Sequence, residues 1–174
     1  MALVVFLKGI NVGGYRKVRP SEIAKRLKRY DAVNIGAAGT FVIRKPVSQA
    51  KLRAELKRLL PFECQTMICS ATEIRRLAAT DPFARQSPDR SIIQFVSVLG
   101  KRPSAAPKTP LSIPSSGDWG LKVLKLEQRF VLGVHRRQMK AIGHLGQLEK
   151  LFGTTATTRS WSTIQTIARI LDTP

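Results

Sequence analysis

Three glycines crowd the start of the chain where backbone chemistry is possible. Gly9, Gly13 and Gly14 lie between the apolar run Val4-Val5-Phe6-Leu7 and the basic residues Arg16 and Lys17, with Lys8 and Asn11 in the same stretch. A glycine loop leading from a strand to a helix can turn backbone N–H groups toward an anion, and flanking cations strengthen such a site. Lys8, Gly9, Asn11, Gly13, Gly14, Arg16 and Lys17 are therefore candidate anion-binding residues. Gly9 and Gly14 also have the glycine spacing of a Walker A loop. Tyr15-Arg16, however, stands where that loop needs Lys and Ser/Thr to hold phosphate and magnesium. The same glycines would equally serve a tight turn with positive φ and no ligand.

A second candidate lies near the other end. Thr157-Thr158-Arg159-Ser160-Trp161 leads into a predicted helix, where Thr158 or Ser160 would cap the first turn and Trp161 would pack inward. With the free N–H groups of that turn, Thr157, Thr158 and Arg159 form a further candidate anion site; simple capping is the plainer use. The densest charge is Lys25-Arg26-Leu27-Lys28-Arg29, with Ile23, Leu27 and Tyr30 on the opposite side of a helix. Lys25, Arg26, Lys28 and Arg29 are then either a solvated face or a face that meets a polyanion. Catalytic and metal chemistry find little support. His135 and His144 are nine apart with no carboxylate pair beside them, and Cys64 and Cys69 lack the close spacing of a zinc site. No catalytic residue can be named, and no metal or cofactor is expected.

The charge balance narrows the partners. Thirty Lys and Arg against eleven Asp and Glu give a net charge of +19 over 174 residues, so polyanions are attracted at long range. Residues 1–50 carry ten basic side chains, 51–100 eight and 101–150 ten, which places the excess on folded faces and not on a polybasic tail. Nucleic acid or a phosphorylated small molecule is the expected partner. Aromatic residues are only 6% of the chain, a poor supply for a base-stacking sheet. The apolar start is too short for a signal core or a membrane span, so no membrane insertion is expected. The two cysteines fall in one predicted strand at an odd separation, on opposite faces, and cannot bridge. Free thiols fit a cytoplasmic protein.

Elements that would position these residues follow in a recognisable order. Leu3–Leu7 reads as a strand buried on both faces. Pro20-Ser21 opens a helix to about Arg29, with Ser21 as its cap. Strands at Ala32–Ile35 and Thr40–Ile43 flank the turn Gly36-Ala37-Ala38-Gly39. A helix from Ser48 to Leu60, a strand over 63–69 and a capping box at Ser70-Ala71-Thr72-Glu73 complete a split βαβ pattern. A second unit would hold a strand at Ile92–Leu99, a hairpin about Glu127-Gln128, and helices over 146–152 and 161–171. Thr40-Phe41-Val42-Ile43-Arg44 and Arg129-Phe130-Val131-Leu132-Gly133 hold the same place in the two units, a hint of duplication. The expected fold class is α+β: two ferredoxin-like (split βαβ, α/β-plait) subdomains packed together. Residues 1–80 would form the first and 90–174 the second, with a Pro-rich connection at 101–116.

With these residues in order, the chain resembles domain-of-unknown-function family 1697. Gly9-Ile10-Asn11-Val12-Gly13-Gly14 matches the family's opening loop, and Asp81-Pro82-Phe83 is similar to its Asn-Pro-Phe. Thr157-Thr158-Arg159-Ser160-Trp161-Ser162-Thr163 looks like its closing Thr-Thr-Arg-Asn-Trp-Asn-Thr. The resemblance implies two ferredoxin-like halves and no assigned chemistry. It also has departures. Ala38-Gly39-Thr40 replaces the family's Ser-Gly-Asn, Ser160 and Ser162 replace two asparagines, and Tyr15 stands for a lysine. The match is poor over residues 101–144, where His135-Arg136-Arg137-Gln138 takes the place of a glycine-serine turn. Any family site built from those amides would be altered here. Gly9…Gly13-Gly14-Tyr15-Arg16 also looks like the phosphate loop of acylphosphatases, one residue short. Val5-Phe6-Leu7-Lys8-Gly9-Ile10 faintly resembles the first strand of RNA-recognition domains, but Gly39-Thr40-Phe41-Val42-Ile43 has one aromatic where base stacking needs two or three.

The expected function is a binding module with a basic glycine-loop anion site that engages nucleic acid or a phosphorylated ligand. Two alternatives stand beside it. One is an enzyme acting on a phosphorylated metabolite, with Arg16 as phosphate clamp. The other is an interaction protein whose basic faces meet an acidic partner.

Overall fold

The computed structural model describes residues 1–85 and 89–173, and of Met139 the backbone; residue 174, the end of the expected second unit, lies outside them. The chain divides into two compact units, residues 1–80 with 163–174 and residues 81–162.

The first unit is built on β1 (Leu3–Leu7), whose five side chains are all buried. Its helix α1 spans Pro20–Arg26, followed by a 3-10 turn at Lys28–Tyr30; β2 is Ala32–Ile35 and β3 Thr40–Ile43. Then come α2 (Gln49–Leu59), β4 (Thr66–Ser70) and α3 (Ala71–Ala79). The sheet order is β2-β3-β1-β4 with every neighbouring pair antiparallel, the arrangement that a split βαβ unit produces. Leu3, Val5 and Leu7 share one core with Ile23 and Leu27 of the α1 region and Leu52 and Leu56 of α2. Val4 and Phe6 point to the other face and are just as buried, so β1 tolerates no polar residue.

Local signals set the helix ends. The Ser48 hydroxyl accepts the Lys51 N–H, and Ser70 and Glu73 form the reciprocal capping box. The α1 cap differs from expectation. Pro20 occupies the first turn, Arg19 is the cap residue without a side-chain bond, and Ser21 lies inside the helix. Cys64 also lies outside the expected strand over 63–69, because β4 starts at Thr66; it is half-buried with its thiol donating to Lys8 O at 3.3 Å, and Cys69 is buried.

The second unit holds β5 (Ile92–Leu99), β6 (Leu111–Ile113), β7 (Leu121–Glu127), β8 (Phe130–Arg136), α4 (Met139–Leu145), α5 (Gln147–Phe152) and β9 (Ala156–Ser160). The last helix, α6 (Trp161–Asp172), carries the chain on into residues 163–174. The antiparallel order is β6-β7-β8-β5-β9. Setting β6 aside, this repeats the order of the first sheet; residues 101–118 with β6 stand where the first crossover helix would be. Neither β6 nor α4 is legible as an element in the sequence. Phe95, Leu99, Val123 and Val131 pack against Leu148 and Phe152 of α5.

The repetition extends to individual bonds. Leu7 N–H donates to Gly39 O and Leu99 N–H to Arg129 O, while Lys8 N–H donates to Gln65 O and Gly100 N–H to Thr155 O. Leu3 pairs with Ser70 as Phe95 pairs with Ser160. On this register Phe41 corresponds to Val131, and both belong to the helix-covered cores. The apolar motifs at Thr40–Arg44 and Arg129–Gly133 therefore lie on corresponding strands but are offset by one residue, which changes the face each side chain takes.

Gly133 sits where Phe95 crosses β8: an added Cβ would lie 2.5 Å from Phe95 Cζ and 2.3 Å from Lys122 O. Gly133→Ala is expected to destabilise by about 2 kcal/mol or more, since overpacking of rigid backbone is not relieved by a rotamer change. Both tryptophans, Trp119 and Trp161, lie in this unit, so urea unfolding followed by tryptophan fluorescence reports it directly. An unchanged midpoint would show that β8 can move away.

Candidate functional site

Residues 11–17 form an exposed finger, and the chain's geometry explains why. Beyond β1, Ile10 turns back into the core against Gly39, where an added Cβ would lie 2.6 Å from Ile10 Cδ1. Asn11 N–H then donates to Arg16 O at 3.2 Å and Tyr15 N–H to Val12 O at 3.1 Å, closing a tight hairpin about Gly13-Gly14. Gly13 and Gly14 have φ of 58° and 80°, the conformation a two-residue hairpin turn demands. Gly9, Asn11 and Arg16 are left-handed as well, at 67°, 55° and 49°. Asparagine tolerates this region better than other side chains, and arginine does not, so Arg16 stores some strain.

Asn11 staples the finger down. Its Nδ2 donates to Ala37 O in the β2–β3 turn at 2.9 Å, and its Oδ1 accepts the Val18 N–H at 2.9 Å. The side chain expected to bind an anion thus uses both ends of its amide to position the loop. Above the staple, Tyr15 is 80% exposed and Val12 66%. At its foot is an open pocket of about 680 Å³ lined by Asn11, Gly14, Lys17, Val18 and Arg19. Arg16 lies with its guanidinium 5.7 Å from the Phe62 ring centroid, beside Gly9. Lys8 is half-buried at the end of β1. Arg19 is the cation that sequence reasoning missed; its signal is its place directly before the Pro20 that starts α1.

The structure brings Gly9, Asn11, Gly13, Gly14, Arg16 and Lys17 into one loop of the first unit, while Thr157, Thr158 and Arg159 belong to the second. These three lie within β9 and not in a loop before α6, so they offer no helix N-terminus. Thr158 shares a 2.5 Å hydrogen bond with the buried Ser97 hydroxyl. Arg159 is buried and donates through Nη1 to Thr157 Oγ1 at 2.9 Å and Thr158 O at 2.8 Å. These bonds hold a strand together; alternation places Thr157 and Arg159 on one face and Thr158 on the other.

The basic residues of α1 and of the 3-10 turn after it divide in the same way. Lys25 pairs with Glu22 at 2.9 Å, a solvent-exposed contact of little stabilising value. Arg29 forms an ion pair with Glu55 and lies 4.8 Å over the Tyr30 ring, while the Tyr30 hydroxyl donates to Glu55 at 2.5 Å. Arg26 and Lys28 are exposed and make no ion pair among the described residues. Burial pushes the Glu55 carboxyl up, but the Tyr30 hydroxyl and the Arg29 guanidinium outweigh it and hold the group below its ordinary value. The same Glu55 contact, with burial, raises the Tyr30 phenol. Among the described residues, no cluster of three or more His, Cys, Asp or Glu could hold a metal, and no helix is long and apolar enough to cross a membrane.

The two antiparallel sheets with flanking helices define a two-unit α+β protein whose first unit is a ferredoxin-like plait. The chain belongs to the family described as "Protein of unknown function (DUF1697)", whose model matches residues 1–118. The matched span includes the Gly9–Gly14 loop and Asp81-Pro82-Phe83; the Thr157–Thr163 motif lies beyond it. Among solved structures the chain is similar to the conserved bacterial protein SP0830 from Streptococcus pneumoniae, with a TM-score of 0.63, 16% identity and 98% of each chain covered. That likeness concerns the fold. No curated protein matches the chain.

Asn11→Ala is expected to loosen the finger more than the fold. Losing two hydrogen bonds should cost about 1–2 kcal/mol in global unfolding, and limited proteolysis should gain a cleavage within residues 12–19. Equal protease resistance in the variant would show that the hairpin needs no staple. The Glu55 cluster predicts a pH dependence with a definite sign. A depressed carboxyl contributes stability above its unfolded value, near 4.5, that is lost as pH falls through the lower folded value. Thermal melts of Glu55→Gln should therefore lose midpoint less steeply on acidification below pH 4.5 than the parent. Tyr30 has the opposite sign, its contribution fading as pH rises beyond 10, and Tyr30→Phe should flatten that limb.

Proposed function

We propose that the chain is a binding module for single-stranded nucleic acid, with the finger at residues 11–17 as its reading head. The observation that carries this is the exposure of Tyr15 beside the Gly13-Gly14 turn, with Lys17 and Arg19 lining the open pocket that Gly14 borders. An exposed aromatic ring beside cations is the combination that stacks one base while holding the adjoining phosphates, and it is tolerant of sequence. Arg26 at the end of α1 and Lys28 in the 3-10 turn that follows, both exposed, extend the path for the backbone. The net charge of +19 draws the strand in at long range.

The phosphate-cradle alternative has weaker support. A cradle needs several N–H groups converging on one anion, whereas Asn11 N–H and Tyr15 N–H donate within the hairpin. The acidic-partner alternative would use the same cations, but gives Tyr15 no stacking role.

Fluorescence anisotropy with labelled single-stranded DNA and RNA 12-mers, measured over a salt series, tests the proposal. Tyr15→Ala should weaken binding about 5- to 100-fold, the size of one lost base stack. The Lys17→Glu/Arg19→Glu pair should weaken binding to all sequences alike and make the log–log salt slope shallower by about 2. Equal affinity of Tyr15→Ala and parent, or tighter binding of a duplex of the same length, would overturn it.

A further inference from the structure

We infer that the second unit carries a separate small-molecule site: the pocket between Trp119-Gly120 and α4 binds a phosphomonoester of a hydroxylated molecule, such as a sugar phosphate or a mononucleotide. It is independent of the finger and of the nucleic-acid proposal.

The pocket encloses about 450 Å³, within the range of small-molecule sites, and Asp118, Trp119, Gly120, Arg136, Lys140 and His144 are the lining residues that bear on its chemistry. Arg136 is its centre. At the end of β8 its backbone N–H donates to Gly120 O at 2.8 Å and its Nε to Trp119 O at 3.0 Å. Its guanidinium lies 4.6 Å from the Trp119 ring centroid, and Lys122 Nζ lies 4.3 Å from the same ring. The half-buried arginine is thus fixed in place, yet its two Nη groups make no hydrogen bond among the described residues. The carboxylate that feels its charge, Asp89, bonds instead to the Ser91 N–H and hydroxyl. An immobilised guanidinium with both terminal nitrogens unengaged is a bidentate receptor for phosphate oxygens.

The rest of the lining completes the ligand. His144 Nδ1 meets Gln147 Nε2 at 3.1 Å. With the amide nitrogen as donor, Nδ1 accepts, and the tautomer that suits this contact has its N–H at Nε2. That nitrogen faces Gly120, where an added Cβ would be 3.0 Å away and 2.7 Å from Cδ2; glycine leaves room for the ring. Lys140 is exposed on α4 and forms no ion pair among the described residues. Arg136, Lys140 and His144 supply donors for a phosphate. Asp118, the acid of the lining, repels an anion but accepts hydrogen bonds from hydroxyl groups. A pocket with donors and one acceptor fits a molecule that carries a phosphate and hydroxyls.

Titration calorimetry of the full chain tests this with ribose 5-phosphate, adenosine 5′-monophosphate, their unphosphorylated forms and inorganic phosphate. Saturable binding of at least one ester is expected, with its unphosphorylated form weaker by about 10-fold or more, as loss of a charge-assisted bidentate pair implies. Arg136→Lys keeps the charge but loses the fork and should weaken binding about 10-fold. Lys140→Glu, at an exposed position, should weaken it by a similar factor with an unchanged melting temperature, and Tyr15→Ala should leave it intact. Three results would overturn the assignment: no saturation by either ester at roughly millimolar concentration, equal affinity for phosphorylated and unphosphorylated forms, or Lys140→Glu binding like the parent. Inorganic phosphate binding as tightly as both esters would overturn the role of Asp118 and the hydroxyls.

Discussion

Burial of β1 on both faces is the constraint from which the first unit follows. Val4 and Phe6 on one side and Leu3, Val5 and Leu7 on the other are removed from water, each such side chain contributing about 2 kcal/mol to the folded state. A strand of this kind can carry no polar group, so chemistry is displaced to the residues just beyond it. Lys8 begins that transition, Ile10 makes one last apolar anchor, and the finger rises from Asn11. The central strand of the second unit obeys the same rule more loosely. Ser97 is buried within β5, and its hydroxyl is satisfied by Thr158. A buried hydroxyl is tolerated only with such a partner.

The finger exists because backbone strain is concentrated in a short segment and offset by a few bonds. Five left-handed residues between Gly9 and Arg16 would not hold a shape alone. Asn11 supplies the order by tying the segment to Ala37 and Val18, and the cost of its left-handed conformation is low for an asparagine. The same economy governs the charge. Arg29 is drawn into a pair with Glu55 and Tyr30, and Lys25 into a pair with Glu22, whereas Arg26, Lys28, Lys17 and Arg19 face water. Net charge describes the whole surface; cations such as these four can meet a phosphate without first giving up an ion-pair partner.

Much of the fold was legible because its signals are local. The unbroken apolar run of β1, the two glycines flanking the β2–β3 turn and the Ser70–Glu73 box each act within a few residues, and they appear where periodicity and turn chemistry place them. Misplaced features depended on partners distant in sequence. Thr157-Thr158-Arg159 reads as a polar cap because hydroxyls and an arginine are common before helices. It is a strand because Thr157 and Thr158 pair with Val98 and Ser97, about sixty residues away. The three-residue β6 has no periodicity of its own and exists by pairing with β7. Asn11 reads as part of an anion site because it lies in a glycine loop between a strand and basic residues; the carbonyl that its amide nitrogen meets, Ala37 O, lies 26 residues on.

What the sequence by itself determined is therefore the class of the protein: two α+β units, a glycine loop after the first strand, an excess of cations and a family signature. Each of these rests on composition or on contacts between near neighbours. The tertiary structure alone decided that the loop is a finger with Tyr15 exposed, that Arg159 is buried beside Thr157, and that Arg136 lies on Trp119 with both Nη groups making no hydrogen bond among the described residues. The physical reason is the same in all three cases. A polar side chain's role is set by whether its donors and acceptors are already satisfied, and the groups that satisfy them are brought close by sheet pairing and packing, which link residues far apart along the chain.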